Sequence, residues 1–214
     1  MKKIMLATVG FMAAALGAHA AMITQEQSYF GETDWTQDLT FSQFNTALGT
    51  LNSVDITLTG AAQLTTSAQN NSAGSMYVRV TDDLTLSSTV PDSSPLTLAK
   101  TLAQSFSVPV GQTVNLTTTG TVSDNQTYNS GLAAWEGVGT IILAGEADDS
   151  ISSSISGGNY NVSFTTTAGL DAVVTYNYTA VPDGPVPWWA SLGAIGGVCW
   201  LAAGHKPRRP VAAV

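Results

Sequence analysis

Val54-Asp55-Ile56-Thr57-Leu58-Thr59 puts apolar side chains at 54, 56 and 58 and polar ones between them. A period of two sends alternate side chains to opposite faces, so this stretch reads as a strand with one buried and one wetted face. The same alternation runs through Met76-Tyr77-Val78-Arg79-Val80, Phe106-Ser107-Val108-Pro109-Val110, Tyr160-Asn161-Val162-Ser163-Phe164 and Val174-Thr175-Tyr176-Asn177-Tyr178. Less regular apolar runs at Leu39 to Phe44, Leu84 to Leu86, Leu96 to Leu98, Val114 to Leu116 and Gly139 to Leu143 bring the set to roughly ten short strands. Between them lie Gln69 to Gly74, Pro91 to Pro95, Ser123-Asp124-Asn125 and Gly157-Gly158-Asn159, rich in residues that preset or tolerate turn dihedrals. No window of about a dozen residues carries a helical stripe, although Ser42 to Leu48 has room for one turn. The expectation is an all-β antiparallel sandwich over residues 21–180, jelly-roll-like or Greek key. One polar face per strand argues against a parallel sheet buried on both sides. An immunoglobulin-type arrangement without its disulfide is the alternative.

The surface of this body is unusual in kind. Residues 21–180 hold 27 Thr and 20 Ser, so its polarity comes from hydroxyls, and threonine's branched Cβ favours the pleat. Arg79 and Lys100 are its two cations, against ten Asp and four Glu, a net −12 where the whole chain of 214 residues carries −8. The single cysteine, Cys199, and both histidines, His19 and His205, lie outside the body. A Ser-His-Asp or Cys-His site and a His/Cys zinc site therefore cannot be assembled from it. Two isolated cations cannot displace counterions from phosphates, which excludes a nucleic-acid partner. Disulfides are excluded too, so stability rests on the core.

Both ends read as addresses. Residues 1–20 join Lys2 and Lys3 to an apolar run from Ile4 to Leu16 and to Ala18-His19-Ala20, the small-x-small pattern cut by signal peptidase, which predicts a signal helix cleaved between Ala20 and Ala21 after export by the Sec machinery. At the other end, Val181-Pro182-Asp183-Gly184-Pro185-Val186-Pro187 forms a proline-rich linker (181–187). A Gly- and Ala-rich apolar segment (188–204) follows, and then a basic tail (205–214) in which Lys206, Arg208 and Arg209 act as the stop. Taking the apolar segment as a helix, 1.5 Å per residue makes it roughly 25 Å long, marginal for a hydrocarbon core of about 30 Å. The basic cluster would hold the far end in the cytoplasm, and Trp188 and Trp189 would sit at the outer interface. Cys199 within this run reads as a small apolar filler.

Two resemblances follow from these residues. The order of Val181-Pro182-Asp183-Gly184-Pro185, apolar helix and terminal Arg cluster resembles the PEP-CTERM sorting tails of exported bacterial proteins, with Asp183-Gly184 where that motif has Glu. It implies an exosortase-type transpeptidase as the processing partner; an uncleaved single-span anchor is the alternative. The stretch Leu39 to Val54, continuing through Leu58-Thr59-Gly60, resembles the opening of the choice-of-anchor E domain, with Phe44-Asn45 where that family reads Phe-Asp. Trp135-Glu136-Gly137-Val138-Gly139-Thr140 resembles its Phe-x-Gly-x-Gly-Thr segment, and Val173 to Thr179 its closing Tyr-rich strand. The resemblance implies an exported bacterial domain placed upstream of interchangeable anchors, at the cell surface or in the extracellular matrix, with no catalytic residues to carry over.

The remaining chemistry in the body is carboxylate chemistry. Asp82-Asp83, Glu146 with Asp148 and Asp149, and Asp34 with Asp38 are the local clusters. Two carboxylates held roughly 5–10 Å apart in a groove hydrolyse glycosides, but adjacent strand residues face opposite ways, and no catalytic residue is assigned. A structural calcium ion is the one cofactor considered, with Asp82, Asp83, Asp148 and Asp149 as its candidate ligands, although neither segment follows the EF-hand loop. An extracellular polysaccharide is the candidate ligand for aromatic side chains at Trp35, Tyr77, Tyr128, Trp135, Tyr160, Tyr176 and Tyr178. Trp35 and Tyr128, in polar stretches, are the pair expected to be exposed. The hydroxyls would also permit Ser/Thr glycosylation.

Overall fold

The computed structural model describes residues 19–181. The signal helix with Ala18, the sorting residues Pro182 to Pro185, the apolar segment and the basic stop lie outside these residues, while Ala20 and Ala21 open the first strand. Eight strands follow in order: β1 (Ala20–Glu32), β2 (Trp35–Ser42), β3 (Gly49–Asn70), β4 (Met76–Ser88), β5 (Leu96–Val108), β6 (Thr113–Tyr128), β7 (Thr140–Ser156) and β8 (Tyr160–Ala180). One sheet has the order β1-β8-β3-β6 and the other β2-β7-β4-β5, with every pairing antiparallel. The two pack face to face as an all-β sandwich, and buried residues from all eight strands or their partly buried neighbours fill the space between them.

The strands are fewer and longer than the sequence predicts. Met76 to Val80 and Leu84 to Leu86 are one strand, because Thr81 and the two aspartates between them keep the alternation. Ser123-Asp124-Asn125 is not a turn: it lies in β6, paired with Thr57 to Thr59. β6 is an edge strand, where water satisfies turn-prone polar side chains without ending the ladder. The Phe106 run ends at Val108, and Pro109 and Gly111 belong to the following turn. The single helical turn within Ser42 to Leu48 is a 3-10 turn at Thr46–Leu48, whose first free amide, on Ala47, donates to the Asn45 side chain at 3.0 Å. β3 contains one irregularity, a register shift between Leu51 and Ser53. Leu51 and Val54 both face the core, which strict alternation forbids; a bulge at Asn52 restores the phase.

The chain enters and leaves at one end of this sandwich. Ala20 pairs with Thr179, the Ala180 amide donates to the His19 carbonyl at 3.0 Å, and the Val181 amide donates to the Leu48 carbonyl at 3.0 Å. The connections through 71–75, 109–112 and 157–159 lie at the other end. Asn70 ties that tip, donating to the Gly74 and Val108 carbonyls at 2.8 and 2.9 Å. With 21 residues at about 3.3 Å each, β8 runs roughly 70 Å between the two ends. No helix among the described residues is long and apolar enough to cross a membrane.

Candidate functional site

The inward face of β4 reads Met76, Val78, Val80, Asp82, Leu84, Leu86, so one carboxylate stands in an apolar row. Asp82 is fully buried, and its Oδ2 accepts a hydrogen bond from Thr166 Oγ1 of β8 at 2.6 Å. Its Oδ1 has no partner, and neither do the buried Thr66 Oγ1 and Gln104 Oε1 on β3 and β5. Gln104 uses its other end to close the β5/β6 side, its Nε2 donating to the Leu64 carbonyl at 3.0 Å and to Thr118 Oγ1 at 3.2 Å. These groups form a polar seam inside the sandwich. Toward the chain ends lies the large apolar cluster containing Phe41, Phe44, Trp135 and Tyr176. Toward the tip lies a small one of Ala68, Met76, Val78 and Val108. Burial raises the Asp82 pKa, partly offset by the Thr166 hydrogen bond, and the nearby Asp149 and Asp83 raise it further.

The four calcium candidates do not converge. Asp149 lies diagonal to Asp82 on the same side of the second sheet, since Leu84 pairs with Asp149 and Asp82 with Ile151. Asp83 faces outward, accepting from Thr101 Oγ1 at 2.7 Å, and Asp148 is exposed. Among the described residues no group of three or more His, Cys, Asp or Glu gathers to hold a metal ion. Glu146 is exposed, and Asp34 occupies the left-handed corner between β1 and β2 at φ 62°. Asp83→Ala is expected to change stability by no more than about 0.5 kcal/mol, as at other exposed sites away from caps and buried networks; a urea midpoint measures it.

The aromatic residues divide differently from the sequence expectation. Trp35 is buried: its Nε1 donates to the Ala168 carbonyl at 3.3 Å and its ring meets Tyr29 edge-on at 4.8 Å. Tyr128 is half-buried, 6.3 Å from Trp135. Trp135, Tyr176 and Tyr178 are core. Tyr77 and Tyr160 are exposed, at 46% and 42%, and among the described residues the largest aromatic exposure belongs to Phe30, at 60%, which is not one of the sequence candidates. Phe30 leans over Gly169, where an added Cβ would stand 2.7 Å from the ring. This leaves a shallow depression of about 350 Å³ lined by Phe30, Ala61, Gln63, Thr119 and Thr121 on the outer face of the first sheet. The outward positions around it are mainly hydroxyls, some joined across strands, as Thr65 to Thr117 at 3.3 Å and Thr24 to Thr175 at 3.1 Å.

One side of the sandwich is open toward the tip. β1 stops opposite Thr167 of β8, and β2 starts opposite Ala147 of β7. The corner between them is fixed by the Thr33 amide, which donates to the Thr166 carbonyl at 3.2 Å. Beyond the corner, residues 148–156 of β7 and 160–165 of β8 are paired only on their inner edges. Ile151 (37% exposed) and the half-buried Ile155, Val162 and Phe164 line the opening.

No protein-family model matches the chain, and no curated protein matches it. Among solved structures it is similar to the T13 particle of infectious bursal disease virus, with 14% identity, 89% of this chain and 50% of that one covered, and a TM-score of 0.17. It is also similar to the Gx strain of that virus, with 13% identity, coverages of 87% and 50%, and a TM-score of 0.16. The chain thus spans about half the length of the proteins it matches, and identities and TM-scores this low carry nothing about function.

Proposed function

We propose that this chain is an exported bacterial surface or matrix protein with a structural or interactive role, a choice-of-anchor E-like jelly roll delivered by a PEP-CTERM-like tail. The strand order fits that fold: in a jelly roll of two four-stranded sheets, the first strand sits beside the last and the second beside the seventh, as here. The observation that carries the functional reading is the exit of both termini from one end of a sandwich about 70 Å long. A domain tethered through Val181 presents its hydroxyl-covered faces and its tip outward, away from the surface that holds it. The carboxylates support a non-catalytic role, because Asp82 is buried and its neighbour Asp83 faces the other way. A polysaccharide-binding module is the second reading, favoured by the Phe30 depression, where one ring stands beside the hydroxyls and amide of Thr119, Thr121 and Gln63.

Intact mass spectrometry of the surface fraction tests the first reading. The expected mature chain begins at Ala21 and ends between residues 181 and 187, after the signal peptidase and exosortase-type cuts. Recovery of peptides spanning Lys206 to Val214 from that fraction would overturn the processed tail and leave the uncleaved anchor. A mass above that of the bare chain would register Ser/Thr glycosylation.

A further inference from the structure

From the open side of the tip we infer that two copies of this chain pair antiparallel through residues 150–156 of β7 and 160–164 of β8, joining molecules held on facing surfaces. The free strand edge is a template for another strand; the other long uncharged edges, residues 101–108 of β5 and 113–123 of β6, draw together on the far side, where Gln104 Nε2 donates to the Leu64 carbonyl and Thr118 Oγ1. β1 carries Glu26 and Glu32, β2 Asp38, β5 Lys100 and β6 Asp124. Residues 150–166 contain no charged residue and no proline. In a body of net −12, this is where a second copy meets the first without facing like charges.

The shape of the opening fixes the orientation. β1 and β2 form a shoulder one strand wide beside the open edges. If two copies met with their chain ends on the same side, the shoulders would collide and hold the open edges about 14 Å apart, three times the distance that strand pairing spans. Turned end for end, each shoulder and its corner at 33–34 lie beyond the other copy's turn at 157–159, and the edges meet over residues 150–156 and 160–164. Ser153 is the midpoint of 150–156 and Val162 that of 160–164, four and three residues from that turn, so one two-fold axis across both sheets serves both strands. A pair centred on Ser153 sets Ile151 against Ile155 and leaves Asp148 and Asp149 outside the ladder. A pair centred on Val162 sets Tyr160 against Phe164, which covers the apolar side chains exposed in the opening. Both four-stranded sheets become continuous eight-stranded ones, and the Val181 ends point in opposite directions, about 125 Å apart at 3.3 Å per residue. Twelve edge residues per copy is a small interface, so the affinity expected is weak, raised by display on surfaces.

The pairing stands on the strand edges alone; the joining of surfaces also rests on the anchored reading above. Sedimentation of the full chain in detergent, and clustering of phosphatidylcholine vesicles carrying it, separate the two. The parent chain should dimerise and cluster vesicles. Ser153→Lys and Ser153→Glu, each placing like charges opposite each other, should weaken self-association at least about tenfold, and mixing the two should restore both dimers and clusters. A parent chain that stays monomeric at about 100 μM, or variants that associate like the parent, would overturn the pairing. Dimers without clustering, from protein that floats with the vesicles, would overturn the joining of surfaces. Protein that does not float would overturn the anchor and leave the sedimentation arm to decide the pairing.

Discussion

Trp135→Ala is expected to cost about 3–5 kcal/mol, the range for truncating a fully buried aromatic ring. The indole is 1% exposed and belongs to the last residue of the 3-10 turn Leu132–Trp135, at the end where the chain leaves the sandwich. It stands edge-on to Tyr176 at 6.3 Å and tilted against Tyr128 at the same distance, while Phe44 packs on Tyr176 and Tyr178 at 6.0 and 5.0 Å. Its backbone is engaged as well, the Trp135 carbonyl accepting from the Phe44 amide at 2.8 Å. Truncation leaves a ring-sized void among groups held from β6, β8 and two loops, which cannot all collapse into it. Domains of this size hold about 5–15 kcal/mol, so roughly a fifth or more of the stability is at stake. The measurement is the urea midpoint at constant m value. Trp135→Phe should recover most of the loss, because a ring still fills the space. A loss below about 1 kcal/mol for the alanine variant would show that this cluster does not close the end where the chain enters and leaves the sandwich.

The alternation at Val54 to Thr59 was enough to predict the sandwich, since it depends only on which residues bury. Strand count was not legible, because Thr, Ser and Asp interrupt the apolar runs without interrupting the pleat. Asp82 was closer to legible than it looked. It shares the phase of Val78, Val80, Leu84 and Leu86, so extending the alternation by one step places it in the core and Asp83 outside. Reading the two as an acidic pair hid that signal. The polar neighbours of Trp35 point to exposure, whereas its burial comes from Gly145, Ala147 and Ala168, distant in sequence, which leave room for the indole. The open edge could not be read at all, because it depends on where β1 and β2 stop relative to β7 and β8, a property of register that no local pattern encodes.

Asp82→Asn is expected to stabilise the protein by about 1–2 kcal/mol at pH 7, the scale of a buried polar group left without its partners. Burial raises the Asp82 pKa above its ordinary 3.8. Above the raised value the carboxylate is ionised in both states, and the folded state bears the full desolvation cost. Below 3.8 it is neutral in both. Between the two the folded state binds more protons than the unfolded one, so stability falls as pH rises. Asp171, raised by burial and by Glu26, acts in the same direction, and so does the self-repulsion of a −12 body. The parent chain should therefore lose stability as the pH rises from about 4 through the raised pKa values of these two groups. The Asp82→Asn substitution keeps an acceptor for Thr166 and adds a donor facing a seam whose unpartnered atoms include Thr66 Oγ1 and Gln104 Oε1. Its profile should be flatter, with the gap between the two chains closing toward acid. Urea midpoints at matched pH values decide the matter: parallel profiles would place the proton elsewhere, and a variant less stable than the parent at pH 7 would mean that the carboxylate's charge is compensated in the fold.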